Sequence, residues 1–309
     1  MLILRQLERV GRRFPAPVLT LGTFDGVHRG HQEILRRLVA CARGIHGTAI
    51  VLTFRPHPTA VLAPARAPVL LTDWRRRIEQ IAEAGADTLI VERFTRAFSE
   101  ISAADIVRRF LVDTLGVRTI IVGHRVSFGH NREGTAESLR RFGAQYGFGV
   151  DIVGPVEVDG VVVSSSAVRR AISAGDLVRA RAYLGQAPSV AGRVVPGQRR
   201  GKSLGFPTAN LRVGGTVLPP DGVYAVRVNV GGRQHPGVAN LGFNPTFSEH
   251  AHRLEAHLFD FDADLYGQRI DVSFVKRLRG ETKFANVQAL IAQIALDAEA
   301  ARRALADAE

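Results

Sequence analysis

The chain has 309 residues, enough for two domains of ordinary size, and its 46% hydrophobic content excludes a disordered or fibrous class. One cysteine, Cys41, excludes an internal disulfide and a thiolate metal cluster. A net charge of +12 invites a nucleic-acid reading, but there is no RNP motif, zinc finger or basic arm, and arginine sets such as Arg36-Arg37, Arg75-Arg76-Arg77 and Arg108-Arg109 fall in helical patterns, mostly on what would be a solvated face.

The N-terminal Met1-Leu2-Ile3-Leu4 is too short for a signal-peptide core, and no apolar run reaches the length of a membrane span, so a cytoplasmic protein is expected. From residue 18 onward, strand and helix signals alternate. Residues 18–23 read as a strand, 30–42 as a helix, 48–54 as a strand and 75–84 as a helix. Residues 88–91 are a strand, and 102–115 a helix with Ser102 as N-cap. Residues 117–122 are a strand, 135–146 a helix and 149–153 a strand. This order implies a parallel sheet with helices on both faces, binding ligands at the carboxyl ends of its strands. Four unusual segments fall at those ends: 22–31, 53–58, 123–134 and 164–169.

The first of them joins a buried strand to a helix through Gly22, Gly26 and Gly30, which let a backbone approach a ligand closely. The helix start offers free N–H groups and a positive dipole end to phosphate, and His28 and His31, three apart, share one side of the turn. The bland alternative is an ordinary strand–helix turn with two solvated histidines. Ser164-Ser165-Ser166-Ala167-Val168-Arg169 offers hydroxyls and an arginine at another helix start, a second anion site or a serine-rich cap. His57, between Pro56 and Pro58, reads equally as ligand or as rigid loop.

After a helix over 176–184, Gly185-Gln186-Ala187-Pro188 reads as a linker, dividing the chain into 1–185 and 186–309. Beyond it, short strands over 191–195, 222–230, 234–238, 253–258 and 268–278 are separated by Gly, Pro and Asp, and Asn229-Val230-Gly231-Gly232 reads as a hairpin turn. An antiparallel barrel is expected, closed by a helix over 287–305. Gly197-Gln198-Arg199-Arg200-Gly201-Lys202-Ser203 has one residue too few between its glycines for a Walker A loop, and reads as a basic phosphate loop of another kind. Asp260, Asp262 and Asp264 lack the glycine of a calcium loop and read as a polar turn. Thr208 and Asn210, if extended, face one way and offer oxygens suited to Mg²⁺. If Leu254, Ala256 and Leu258 face the core, Glu255 faces outward, where it serves as a base or is simply solvated.

Together these motifs resemble the bifunctional prokaryotic riboflavin kinase/FAD synthetase family. The resemblance rests on His28-Arg29-Gly30-His31 (the HxGH signature), Thr53-Phe54-Arg55-Pro56-His57-Pro58, Val122-Gly123 with Phe128-Gly129, and Ser164 to Arg169. It continues through Gly201 to Leu211, which holds the more specific Gly205-Phe206-Pro207-Thr208-Ala209-Asn210, then Gly237 to Phe247, and Leu254 to Gly267. It implies a Rossmann-like α/β nucleotidyltransferase domain followed by an antiparallel β-barrel riboflavin kinase domain with a terminal helix. Riboflavin, FMN, FAD and ATP are the implied small-molecule partners, with Mg²⁺ as cofactor and neither membrane nor nucleic acid. His28, His31 and Glu255 would be catalytic, and Gly22, Phe24, Gly30, Ser164, Ser165 and Arg169 would bind the ATP of the first domain. Phe54, His57, Arg125 and Phe128 would line its flavin and phosphate crevice. Gly197, Gly201, Lys202, Gly205 and Pro207 would form the kinase phosphate loop, with Thr208 and Asn210 on the metal.

Three departures stand out. Arg125 and Val126 replace an acidic or amide residue and an aromatic one, Lys202 replaces an arginine, and Ser166 replaces a threonine. Arg125 leaves open a kinase whose first domain adenylylates weakly or differently, and the basic charge a nucleic-acid binder. The sequence does not bear on self-association, so a homo-oligomer stays open.

Overall fold

The computed structural model describes residues 1–11, 13–197, 205–243 and 252–307. They form two compact units, Met1–Val69 with Trp74–Ser165, and Leu70–Asp73 with Ser166–Glu309.

The first unit contains β1 (Leu2–Arg5), β2 (Val18–Leu21), α1 (Arg29–Gly44), β3 (Ala49–Arg55), α2 (Pro58–Leu62) and α3 (Trp74–Glu83). It continues with β4 (Thr88–Arg93), α4 (Arg96–Ser99) and α5 (Ala103–Asp105), which runs on as a wider π-helical coil over Ile106–Thr114. Then come β5 (Thr119–Gly123), α6 (Ala136–Tyr146), β6 (Gly149–Val153) and a small hairpin, β7 (Glu157–Val158) with β8 (Val161–Val162). The six main strands form one parallel sheet in the order β1-β4-β3-β2-β5-β6. Alternate residues of β3 feed two cores: Ala49 and Val51 pack with Leu35, Leu38 and Ile81, while Ile50 and Leu52 pack with Phe110, Leu111 and Leu139. Both faces are therefore covered, which explains the unbroken apolar runs in the sequence. Ser102 caps α5 as predicted, its hydroxyl accepting from the Asp105 N–H at 3.0 Å.

β1 is not predicted by the sequence reading. Its side chains are mostly exposed, so it lacks the buried run that marks the other strands; its backbone pairing with β4 makes it a strand. Strand order sets the position of the site. From β2 the chain passes to β3 on one side and resumes with β5 on the other. The carboxyl ends of β2 and β5 thus flank the switch point, where open parallel sheets leave a crevice.

Helix α7 (Ser165–Ser173) opens on the last residue of the first unit, and in the second unit it is followed by α8 (Leu177–Leu184), capped by Asp176 and ended by Gly185 in the left-handed conformation, φ 76°. Six antiparallel strands follow: β9 (Ser189–Val195), β10 (Ala209–Arg212), β11 (Gly222–Val230), β12 (Arg233–Phe243), β13 (His252–Leu258) and β14 (Arg269–Arg279). They close into a barrel in the order β10-β13-β12-β11-β14-β9, with β9 completing the ring by pairing with β10. Gly231 and Gly232, at φ 57° and 90°, make the tight turn between β11 and β12. The interior holds Tyr224, Val226, Leu241, Leu254, Ala256, Ile270 and Phe274, joined by Leu177 of α8. The terminal helix α9 (Val287–Ala306) lays Ala301, Ala304 and Leu305 over Val223, Ala225 and Val238. Buried Asp297 of α9 is held by Arg279 at 2.7 Å. Leu70–Asp73 belongs here too: the Leu70 carbonyl accepts from Val217 N–H at 2.8 Å, and Asp73 pairs with Arg269 at 2.5 Å.

Candidate functional site

The turn after β2 brings together residues that the sequence singles out. His28 is the N-cap of α1, its Nδ1 accepting from the His31 N–H at 3.4 Å. The two imidazoles stack with centroids 3.8 Å apart, and Phe24 lies 5.1 Å from His31. Glycine leaves room for the rings at two positions: a Cβ on Gly30 would meet the His28 ring at 3.2 Å, and one on Gly22 would meet the Phe24 ring at 3.2 Å, both tight contacts. Burial, then the charge of His28, then that of Arg77 hold His31 well below the usual imidazole range. Its Nδ1 is buried and has no hydrogen-bond partner among the described residues. Ser165, at the start of α7, donates from Oγ to the Asp25 carbonyl at 3.0 Å, tying the serine segment to this turn; Arg169 follows one turn along the same helix. Two imidazoles at a helix N-terminus can donate to developing charge on phosphate oxygens.

Other predicted residues lie elsewhere in the unit. Phe54, at the end of β3, forms an aromatic cluster with Phe94 and Phe98, centroids 5.7 and 6.0 Å away. His57 caps α2, accepting from the Thr59 N–H at 3.2 Å. Phe128 is buried in the core and faces Gly134, where a Cβ would lie 2.7 Å from its ring. Arg125 is exposed, just past the carboxyl end of β5.

Sequence reading places Arg75-Arg76-Arg77 mostly on a solvated face. Arg75 and Arg76 do pair with surface glutamates, at 3.0 Å to Glu79 and 2.8 Å to Glu83. Arg77 points inward: its guanidinium is buried against the equally buried Asp25 carboxylate at 3.1 Å, and donates to the Thr23 carbonyl at 3.2 Å. Helical spacing is the signal that could have found it: Arg77 lies four residues before the inward-facing Ile81, on the same helix face, and Arg75 and Arg76 do not.

On the barrel, β13 alternates as expected: Leu254, Ala256 and Leu258 are buried, and Glu255 and His257 face outward. The register sets Glu255 opposite Asn210 of β10 on one side and Asn240 of β12 on the other. One carboxylate thus stands between two amides across three strands. Asn210 is nearly buried, and its Nδ2 donates to the Thr208 carbonyl at 3.3 Å, leaving the amide oxygen to offer. Gly197 makes room for it, since a Cβ there would sit 2.3 Å from the Asn210 amide nitrogen. His257 Nδ1 donates to the Pro207 carbonyl at 2.8 Å, and its ring packs edge-on against Phe206. Gly205 turns the chain at φ 85° just before. Gly201 and Lys202 lie outside the described residues. Asn240, flanking Glu255, was within reach of sequence reading only through strand register.

Comparisons with known proteins match both units. A family model described as FAD synthetase matches residues 13–167, and one described as riboflavin kinase matches residues 184–305. The bifunctional riboflavin kinase/FMN adenylyltransferase of Escherichia coli (strain K12) is 40% identical over 286 residues, covering 92% of this chain and 91% of its own length. The Pseudomonas fluorescens protein of the same description is 40% identical over 303 residues, covering 98% and 97%. A solved Streptococcus pneumoniae structure described as a macrolide-efflux protein superposes with a TM-score of 0.88 at 31% identity, covering 98% of this chain and 99% of its own. Among the described residues of this chain, no helix is long and apolar enough to cross a membrane.

Proposed function

The chain belongs to the bifunctional riboflavin kinase/FMN adenylyltransferase family, and from that premise we propose how its residues divide the two reactions. The enzyme phosphorylates riboflavin to FMN with ATP, then adenylylates FMN with a second ATP to give FAD and pyrophosphate. We assign adenylyl transfer to residues 1–185 and phosphorylation to residues 186–309; the family models at 13–167 and 184–305 support this division.

The observation that carries the kinase assignment is Glu255 standing between Asn210 and Asn240 on the outward face of the barrel. An outward carboxylate accepts the proton of the riboflavin 5′-hydroxyl as its oxygen attacks the γ-phosphorus of ATP, and ADP leaves. Gly197, Gly201, Lys202 and Gly205 would cradle the phosphates with backbone N–H groups and one ammonium, and Pro207, which has no N–H, would shape the loop. Magnesium fits the donors beside them, because the Thr208 hydroxyl and the Asn210 amide oxygen are hard ligands of the kind it takes. When bound, it would neutralise phosphate charge.

For adenylyl transfer, an FMN phosphate oxygen attacks the α-phosphorus of ATP, the bond to the β-phosphate oxygen breaks, and pyrophosphate departs. No covalent enzyme intermediate is needed. His28 and His31 would donate to the oxygens around the α-phosphorus, with Gly22, Phe24 and Gly30 shaping their turn. Ser164, Ser165 and Arg169 would hold the pyrophosphate end. Phe54 and Phe128 are assigned to the flavin side with His57, and Arg125, an exposed cation at the end of β5, to an FMN or ATP phosphate. Both steps consume ATP, which supports a cytoplasmic setting.

The test is to incubate the purified chain with riboflavin, ATP and Mg²⁺ and separate the flavins chromatographically. FMN followed by FAD is expected. No FMN overturns the kinase assignment, and FMN with no FAD overturns the adenylyltransferase assignment.

A further inference from the structure

We propose that Arg77 is a positioning residue for adenylyl transfer: through Asp25 and the Thr23 carbonyl it clamps the turn that sets the His28–His31 pair. The proposal rests on the reading of that pair as the adenylyl-transfer site.

The turn is strained. Phe24 and Val27 have φ 48° and 38°, a left-handed region that side-chain-bearing residues rarely adopt and that is costliest for a branched one such as Val27. Gly26 between them has φ 83°. Such a backbone persists only where its surroundings over-determine it. Here Arg77 grips the turn at two points, Asp25 Oδ1 at 3.1 Å and the Thr23 carbonyl at 3.2 Å. Ser165 holds the Asp25 carbonyl at 3.0 Å, and Gln32 Nε2 donates to the Val27 carbonyl at 2.8 Å. His28 is the next residue, so the clamp fixes both the start of α1 and the imidazole that caps it.

A buried ion pair is a poor way to gain stability, since an apolar pair of the same shape often does as well. A guanidinium can do what an apolar side chain cannot, which is to hold a carboxylate and a carbonyl in one fork. The pair is almost fully buried, with side-chain exposures of 3% for Arg77 and 1% for Asp25. Arg77 is itself oriented by the face of Trp74, 5.7 Å from its guanidinium carbon. Arg77 also contributes to keeping the His31 imidazole neutral.

The test uses the full-length chain and assays both steps. Arg77→Met should lower kcat for FAD formation at least about 30-fold, with KM for FMN and ATP within about threefold and riboflavin phosphorylation unchanged. Arg77→Lys should recover part of that kcat. Stranding the Asp25 charge risks unfolding the unit, so the deciding protein is the double variant Asp25→Asn with Arg77→Met, which removes both charges. Folded, with its thermal transition restored and kcat still low, it supports positioning. A double variant with wild-type kcat overturns the proposal, as does Arg77→Met with kcat within about threefold of wild type. His31→Ala is assayed alongside. If it retains FAD formation, the reading of the histidine pair fails; if it loses FAD formation while Arg77→Met does not, only the clamp fails.

Discussion

Three residues make sharp tests at atomic scale. Glu255→Gln keeps the shape of the carboxylate and removes its basicity. It should cut FMN formation at least about 100-fold while FAD formation from supplied FMN continues, measured by separating the flavins. Loss of both steps together would mean that the two sites are not separate. Gly197→Ala tests space, since its methyl group would sit 2.3 Å from the Asn210 amide nitrogen. We expect about tenfold or greater loss of kinase kcat/KM, and a normal rate would show that Asn210 need not hold its place. His31 links pH to stability. Its folded-state pKa lies below the ordinary value, because burial, then His28, then Arg77 disfavour the charged ring. The unfolded chain therefore takes up this proton first as pH falls below about 6.5, and folded stability is lost across that fall, being fully present above it. The stability of the wild type relative to His31→Phe, from urea midpoints, should drop between pH 7.5 and 5.5; a flat difference would show an ordinary histidine.

At the scale of elements, most of the fold is legible because burial leaves a signature. β2 and β3 are buried on both faces and read as apolar runs; β13 is buried on one face and alternates. The same alternation turns Glu255 outward in the sequence before any coordinates are known. β1 leaves no such trace, because a mostly exposed edge strand is held by backbone pairing that side-chain pattern does not record. Arg77 does leave a trace, since it stands one helical turn before the buried Ile81. Its charge and its place in an arginine run point to solvent instead, and the buried Asp25 that reverses this is a tertiary contact. The line of Asn210, Glu255 and Asn240 needs strand register, which sequence fixes only through closure of the barrel. Helix α9 carries a related surprise, since the polar Asp297 is more buried than the apolar Leu296 beside it. Its bond to Arg279 fastens the helix to the end of β14. Asp297→Ala should cost about 3 kcal/mol, read from urea unfolding, because it strands a half-buried guanidinium. A change under about 0.5 kcal/mol would make the pair an ordinary surface one.

At the scale of the molecule, the second unit draws on more of the chain than its barrel. Leu177 of α8 joins the barrel core, so a protein beginning at residue 186 lacks a core side chain. Compared with a protein beginning at residue 166, it should be less stable by about 2–5 kcal/mol in denaturant, and equal midpoints would show that α8 is dispensable. Leu70–Asp73 adds a further condition, set by time. A chain leaves the ribosome from its N-terminus, and domains generally fold as they emerge. All of β1 to β6 is made by residue 153, so the parallel sheet can assemble while the barrel is still unsynthesised. Leu70 and Asp73 are also made by then, yet their partners Val217 and Arg269 emerge some 150 to 200 residues later. Closing the ring needs β14, the last strand to appear. The inserted segment thus gives synthesis a direction: the parallel-sheet unit can assemble early, carrying four residues held in reserve for a barrel that can close only at the end.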